Sequence, residues 1–431
     1  MFALSSLVSL FLETNNTSCM YSFFIYVYSL LVRFASLFNK KAALMCEGQS
    51  QTFDILSRKI NPGEKYIWFH AASLGEFEQG RPIIEKIKAQ KPEYKILLTF
   101  FSPSGYEVRK NYNLADVICY LPFDTPNNVR KFLDLAQPSM AIFIKYEFWA
   151  NYLNTLKQRN IPTYIISAIF RPEQIFFKWY GMFYRNVLRC FNHLYVQDKE
   201  SVKLLESVSV TNVTVTGDTR YDRVWDICQS AKNIPEIDSF VYDNKGNKIK
   251  TLIAGSSWPQ DENIFIPYFN DCPDIKLIIA PHEIHTSHLE MIESLLKRPY
   301  IRLSEAKDKN LSEYDCVIID CFGLLSSIYR YGEIAYIGGG FGAGIHNTLE
   351  AAVYGIPVVF GKKYGKFKEA KDLIAVGGGF SISESSEFEK LMNRFISDEE
   401  FLLSSGKASL KLVESNLGVS EKIMHDIFIK E

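Results

Sequence analysis

The sequence predicts an α/β protein of two doubly wound domains, and three observations carry that prediction. Short apolar runs alternate with amphipathic stretches over residues 66–216 and again over 251–396. The runs are too short for helices and mostly β-branched, aromatic or aliphatic, as strands buried on both faces of a parallel sheet are. A polar stretch of mixed charge, 226–248, separates the two series; Pro235 and Asp243-Asn244-Lys245-Gly246 give it a linker composition.

In the first series the strands are expected at Tyr66–Phe69, Ile96–Phe101, Ala141–Ile144, Tyr164–Ser167, Leu194–Gln197 and Val213–Thr216. Helices fall between them, at Gly80–Gln90, Ser104–Tyr112, Asn127–Leu135, Phe148–Gln158, Gln174–Cys190 and Lys199–Val208. The second series places strands at Thr251–Ala254, Lys276–Ala280, Cys316–Ile319, Ile334–Ile337 and Val358–Phe360. Its helices lie near Gln260–Phe269, Ile284–Leu296, Phe322–Tyr331, Asn347–Tyr354, Phe367–Val376 and Ser386–Ile396, with a last helix over Gly406–Ile429. The domains are thus an extension with an anchor helix (1–45), a first α/β domain (46–225), a linker (226–248), a second α/β domain (249–405) and a C-terminal helix (406–431). Ligands of such sheets bind at the carboxyl ends of the strands.

The 431 residues carry 48 basic and 49 acidic side chains, a net charge of −1, which argues against a nucleic-acid partner. Eight cysteines are scattered without a C-x-x-C pair, a pattern of reduced thiols in a cytosolic setting. Aromatic residues cluster: seven lie in residues 20–38 and eight in 170–191. The block Met20–Phe38 is apolar and ends at Asn39-Lys40-Lys41, and between Thr14 and Cys46 there are three bases and no acid. That composition suits a segment in or on a membrane, with Tyr26, Arg33, Lys40 and Lys41 at the interface, or else a buried first helix. Met20 is an alternative start to Met1. In 174–190, Lys178, Arg185 and Arg189 recur at helical spacing beside Trp179, so a basic, aromatic face toward headgroups is expected, or a core helix with one solvated face.

Gly338-Gly339-Gly340-Phe341-Gly342-Ala343-Gly344-Ile345-His346-Asn347-Thr348-Leu349-Glu350 follows a strand and opens a helix. Backbone N–H groups there, notably at Gly342 and Gly344, suit a phosphate. The acid that a dinucleotide fingerprint places about 20 residues on is missing, so a nicotinamide cofactor is poorly supported. Glu350 either holds a ribose or closes a capping box with Asn347. Glu76, in His70-Ala71-Ala72-Ser73-Leu74-Gly75-Glu76, is either a general base facing a ligand or a helix cap. Lys145 and Glu147 follow a strand and either orient a polar substrate or form a surface ion pair. His282, His285 and His288 do not have a zinc-site spacing, and no metal is expected; His282 lines the ligand side of its strand.

Together these segments resemble the 3-deoxy-D-manno-octulosonic acid (Kdo) transferases of lipopolysaccharide biosynthesis, from about Met20 to the C-terminus. The resemblance rests on HAASLGEFEQGRP (70–82), KYEFW (145–149), SAIFRP (167–172), GDTRYD (217–222), AGSSWPQDE (254–262), APHE (280–283) and HNTLEAA (346–352), in that order. It implies a GT-B glycosyltransferase: two Rossmann-like domains facing a cleft, with an N-terminal membrane-associated helix. It further implies metal-independent, inverting transfer from CMP-Kdo to a lipid A precursor, without a cofactor, on the cytoplasmic side of the inner membrane. Glu76 matches the general base. Ser73, Lys145 and Glu147 fall on the acceptor or Kdo side. His282, Gly342, Gly344, His346, Asn347 and Glu350 fall on the CMP side. Many relatives have Arg-His after the proline where this chain has Pro281-His282-Glu283, so His282 stands in part for an arginine at the donor phosphate. The alternatives are a GT-B enzyme using a UDP-sugar, or a non-catalytic scaffold docked on the membrane.

Overall fold

The structure, a computed structural model, describes residues 2–242 and 246–428. Met1, residues 243–245 of the expected linker and the end of the expected last helix, 429–431, lie outside the described residues. The chain divides into two compact units, one running to Arg223 and resuming at Gly418, the other Val224–Leu417.

The first unit holds a seven-stranded sheet: β1 (Lys65–Ala71), β2 (Tyr94–Phe100), β3 (Val117–Tyr120), β4 (Met140–Ile144), β5 (Thr163–Ala168), β6 (His193–Val196) and β7 (Val213–Val215). Their spatial order is β3-β2-β1-β4-β5-β6-β7, every neighbouring pair parallel. Successive residues of β1 alternate between two cores, as the strand period of two requires. Trp68 packs with Phe132, Phe143 and Tyr152 on one face, while Ile67 and Phe69 join Ile84 and Ile142 on the other. Helix α1 (Phe2–Ala35) and α2 (Lys40–Lys59) precede the sheet, and α3 (Leu74–Gln90) follows β1. Asn39 caps α2, accepting from Lys41 N and Ala42 N at 2.9 and 3.1 Å.

The second unit repeats the plan with β8 (Lys250–Ser257), β9 (Ile275–Pro281), β10 (Tyr300–Arg302), β11 (Cys316–Ile318), β12 (Ile334–Ile337), β13 (Val358–Gly361) and β14 (Gly379–Ile382). The order is β10-β11-β9-β8-β12-β13-β14, again parallel. Strands β3, β10 and β14 escape the sequence reading because each has only three or four residues and lies at a sheet edge. An edge strand needs little apolar length to pair.

Three expected boundaries change. The stretch 226–248 contains the end of a helix, Arg220–Gln229, and a second helix, Pro235–Phe240, whose Ile237 and Phe240 are fully buried. It belongs to the second unit rather than acting as a linker, its polar surface hiding two core residues. The helix expected over 406–431 is two helices, Glu399–Glu414 and Val419–Phe428, broken at Gly418 with φ +86°. The second of these returns to the first unit, where Val419, Ile423, Met424 and Ile427 join its core. Asp222 caps it, accepting from Gly418 N and Ser420 N at 2.8 and 2.6 Å.

Candidate functional site

In the first sheet the strand order reverses between β1 and β4, which lie side by side with His70 opposite Phe143. Loops leaving the carboxyl ends of such a pair diverge and open a ligand crevice. The loop after β1 carries Ser73 and leads into α3, whose first turn holds Glu76, and the loop after β4 carries Lys145, Tyr146 and Glu147. The topology therefore brings together two segments about 70 residues apart in sequence.

Glu76 caps α3 through one oxygen: Oε2 accepts from Ala72 N at 2.7 Å and Ser73 N at 3.1 Å, completing a capping box with Ser73. Its carboxyl is nevertheless pushed up to about 7, first by burial and then by the Glu147 charge; the backbone bonds and Lys145 oppose that rise. The capping role read from the sequence is therefore formed, and the same carboxyl is raised by its burial. The surface position expected of Glu147 is not observed. Glu147 is buried, and its Oε2 accepts from Trp149 Nε1 at 2.6 Å and lies 3.0 Å from His70 Nε2. Lys145 has φ +66° and places its ammonium over the Tyr146 ring, 5.2 Å from the centroid.

Beside this cluster, Asp218 accepts from Gln79 Nε2 at 3.0 Å and from Arg220 Nη2 at 2.7 Å. Burial raises the Asp218 carboxyl, but the Arg220 guanidinium outweighs it and leaves the group below its ordinary value. The fields of Arg171, Glu76, Arg220 and Asp218 all act on Tyr146, whose hydroxyl burial pushes up, so the two clusters adjoin.

In the second sheet the order reverses between β8 and β12. The Gly-rich stretch leaves β12, Trp258 leaves β8, and His282 leaves the next strand, β9. Trp258, His282 and His346 stack, with centroids 4.7 and 4.4 Å apart. Trp258 Nε1 donates to His346 Nε2 at 3.1 Å. Burial, with His282 beside it, pulls the His346 imidazole down to about 4, so it is neutral at ordinary pH. His288, third of the spaced histidines, is a buried structural residue: Glu262 lies 3.0 Å from its Nε2 and the Glu283 carbonyl 2.8 Å from its Nδ1. His285 faces solvent, 3.4 Å from Glu283.

The Gly-rich stretch corrects the expected phosphate cradle in two ways. The N–H groups of Gly342 and Gly344 both donate to the Gly339 carbonyl, at 3.0 and 3.1 Å, so they close a turn instead of pointing at a ligand. The following helix is only Leu349–Ala352, too short for the expected dipole. Most of the glycines have structural reasons. A Cβ on Gly338 would meet the Ser256 carbonyl at 2.1 Å, and one on Gly340 would meet Gly361 N at 2.5 Å. Gly339 and Gly344 have φ of +89° and +138°. Asn347 accepts from Leu349 N at 3.2 Å, and its Nδ2 donates to Glu350 Oε1 at 3.0 Å.

Residues expected at a membrane fall in two places. By length and composition Thr17–Ala35 of α1 is able to cross a bilayer. One face of this helix nevertheless docks on the unit. Tyr21 Oη donates to Asp124 Oδ2 at 2.7 Å, Tyr28 stacks edge-on with Phe123 at 5.8 Å, and Ile25 and Val32 pack on Met45 and Phe123. The opposite face exposes Phe23, Phe24, Leu30, Leu31 and Phe34, and Phe38 just beyond the helix is exposed too, with Tyr26, Arg33, Lys40 and Lys41 also in solvent. The helix expected over Gln174–Cys190 is a 3₁₀ turn, Ile175–Phe177, then a helix, Met182–Leu188, so no basic helical face forms. Arg185 is the reason the bend holds: Nη1 donates to the carbonyls of Phe176 and Lys178 at 3.2 and 2.8 Å. Trp179 between them is 90% exposed.

Sequence reasoning missed the supporting residues. Asp261 Oδ2 accepts from Gly339 N at 2.8 Å and Trp258 N at 3.0 Å, and Tyr336 Oη donates to its Oδ1 at 2.9 Å. It ties the Gly-rich stretch to the Trp258 loop. The order W-P-Q-D after a strand was the signal, since it places an acid at the third helical position. His70 and Trp149 around Glu147 were inside quoted blocks but carried no role.

Residues 47–223 match the family model described as 3-deoxy-D-manno-octulosonic-acid transferase (kdotransferase). A relative with that activity in its name, from Aquifex aeolicus, is 27% identical over 339 residues, covering 77% of this chain and 86% of the relative. Another, from Haemophilus influenzae, is 23% identical over 409 residues, covering 92% and 94%. Among solved structures, a UDP-GlcNAc 2-epimerase from Neisseria meningitidis aligns with a TM-score of 0.59 at 16% identity, over 85% of this chain and all of that one. Acinetobacter baumannii MurG aligns at 0.54 and 10% identity over the same shares. These likenesses place the fold in the GT-B class. Residues 47–223, which hold the Glu76 and Glu147 segments, thus match the Kdo transferase domain, and Kdo transferases from other bacteria align along most of the chain.

Proposed function

We propose that the protein transfers Kdo from CMP-Kdo to a lipid A precursor with inversion, using Glu76 as general base. The observation that carries this reading is the Glu76 carboxyl, held near 7 by burial and by Glu147 while its Oε2 is fixed by two backbone N–H groups. A base poised near the working pH is both present as carboxylate and basic enough to take a proton. The acceptor hydroxyl gives its proton to Glu76, its oxygen bonds the anomeric carbon of Kdo from the far side, and the bond to the CMP phosphate oxygen breaks. Ser73, Lys145 and Glu147 sit around the base, where Lys145 faces the anionic parts of the sugars. The leaving group carries a single phosphate, so the reaction needs no metal to offset a diphosphate. His282 and His346, stacked with Trp258, together with Asn347 and Glu350, supply the nucleotide side in the second unit.

The acceptor is a lipid, and the exposed apolar face of α1 fits a monolayer rather than a span. Tyr21 to Val32 covers about 16 Å of helix whose inner face is pinned to the protein. The outer face is apolar, Arg33, Lys40 and Lys41 sit toward its carboxyl end, and Trp179 is exposed on a separate loop. This composition suits the anionic cytoplasmic leaflet of the inner membrane.

The test is a transfer assay with CMP-Kdo and a lipid A precursor, read by product mass. A gain of one or more Kdo units is expected, and UDP-sugars should not substitute. Transfer from a UDP-sugar instead, or no mass gain with any donor, would overturn the reading.

A further inference from the structure

A buried hydrogen-bonded chain runs from the core of the first unit to Glu147. Trp68 Nε1 donates to Thr99 Oγ1 at 2.8 Å, since an indole N–H can only donate. The Thr99 hydroxyl proton then has two acceptors, the Phe69 carbonyl at 3.3 Å and His70 Nδ1 at 2.9 Å, and the imidazole is the nearer. With Nδ1 accepting, the ring proton sits on Nε2 and points at Glu147 Oε2, 3.0 Å away. The other tautomer would place the ring proton toward the Thr99 carbonyl, at 3.2 Å. It would then aim a bare lone pair at a carboxylate oxygen, with only the Trp149 Nε1–H, 3.1 Å away and drawn more closely to Glu147 Oε2 at 2.6 Å, to satisfy it. Trp149 Nε1 donates to the same Oε2 at 2.6 Å. Trp68, His70 and Thr99 are fully buried, so no water competes for these bonds.

We infer that His70 is a positioning residue for the reaction, fixing the Glu147 carboxylate beside Glu76 without touching substrate. This rests on the reading of Glu76 as general base. Two donors saturate one oxygen of Glu147 and set the plane of the carboxylate. The same charge acts on Glu76, together with Lys145 from the same loop and with Tyr146 adjoining. His70 therefore acts through two carboxylates, the first held by its Nε2–H and the second by the field of the first. Sequence position alone would make His70 a core histidine, because it lies inside a strand.

The experiment measures kcat, KM and the pH dependence of kcat/KM for His70→Phe, His70→Gln, Glu147→Gln and Glu76→Gln, each checked for wild-type folding by circular dichroism. His70→Phe keeps the ring volume and removes the donor. Its kcat should fall about tenfold or more, the scale of one hydrogen bond to a charged group, with KM little changed. Its acidic limb should move to lower pH, the direction Glu147→Gln also takes. His70→Gln restores a donor where Nε2–H was and should recover most of the turnover and the wild-type limb. A His70→Phe protein with unchanged kcat and limb would overturn the inference. So would a His70→Gln protein no better than His70→Phe. If His70→Phe fails to fold, the Gln variant and nitrogen-15 spectra of the wild type decide. The spectra should place a proton on His70 Nε2, and a bare Nε2 would refute the proposal. Those spectra also separate the failures. Full activity in Glu76→Gln would remove the base reading while leaving the Nε2 proton to be found or not.

Discussion

Replacing Glu76 by Gln separates the cap from the base. Glutamine at the third helical position still accepts from the helix N-terminus, so the bonds from Ala72 N and Ser73 N persist. It has no basic oxygen, so transfer should drop by 10²–10⁴, roughly the range a general base supplies. Stability should move the other way. The folded carboxyl sits at about 7, against an ordinary value of about 4.3. A carboxyl raised on folding favours the native state while protonated, and that advantage is lost as pH rises through 7. Above pH 7 the ionised group therefore destabilises the fold. The upper bound is about 3–4 kcal/mol, because each tenfold change in proton affinity is worth about 1.4 kcal/mol. Glu76→Gln removes the penalty, so its Tm should exceed the wild type at pH 8 and match it at pH 4. The wild-type kcat/KM should climb with pH through about 7, roughly one-tenth of maximal at pH 6 and nine-tenths at pH 8. Thermal melts at both pH values and initial rates from pH 5 to 9 check this. An active Glu76→Gln enzyme, or a rate flat across pH 7, would refute the base. Equal Tm differences at pH 4 and pH 8 would refute the buried-charge argument.

Other perturbations bear on the second unit and on α1. Gly338→Ala forces a Cβ to within 2.1 Å of the Ser256 carbonyl and should lower Tm by several degrees or prevent folding, whereas Gly342→Ala, 3.7 Å from its nearest neighbour, should melt like the wild type. Asp261→Ala orphans Gly339 N–H, Trp258 N–H and Tyr336 O–H. At about 1–3 kcal/mol for each buried group, it should weaken CMP binding in calorimetry more than tenfold. The pair Leu31→Asp and Phe34→Asp, on the outer face of α1, should abolish co-sedimentation with anionic vesicles while leaving CMP binding intact, because neither residue joins the core of the unit.

The alternation of short apolar runs was enough to read two parallel sheets, because doubly covered strands need an unbroken apolar run. Edge strands can be shorter, and β3, β10 and β14 were missed, although the three-residue edge strand β7 was found. Residues 174–190 failed differently. Its basic residues fall at helical spacing, but Arg185 is drawn onto backbone carbonyls of the preceding turn, which a periodicity argument does not weigh. The glycines after β12 looked like a phosphate cradle because sequence counts glycines without knowing what backbone lies against them. Ser256 and Gly361 are 82 and 21 residues from Gly338 and Gly340, and their close approach exists only once the sheet has formed. Glu76 was legible as either a cap or a base; the capping bonds are formed, and burial with the Glu147 charge raises the same carboxyl, which is why the base reading is proposed.

Three of the non-glycine residues with positive φ stand at or just past the carboxyl ends of strands. Lys145, Ser167 and Ser256 all have positive φ, +66°, +52° and +53°, and none is glycine. Lys145 follows β4, Ser167 is the penultimate residue of β5 where the ladder to β6 shifts register, and Ser256 lies at the register shift between β8 and β9. A side chain in that region costs about 1–2 kcal/mol, so surrounding contacts must hold it. Ser167 shows how: its Oγ lies 2.9 Å from Thr219 Oγ1, and its carbonyl accepts from Gln197 Nε2 at 2.8 Å. Lys145 gains a different return. The turn it makes immediately after β4 lets Glu147 double back onto His70 at the end of the neighbouring strand, only two residues later. An extended residue there would carry Glu147 onward past β1 and away from Glu76. The strained residue and the buried carboxylate are therefore one device, and the order of strands in the sheet decides where it stands.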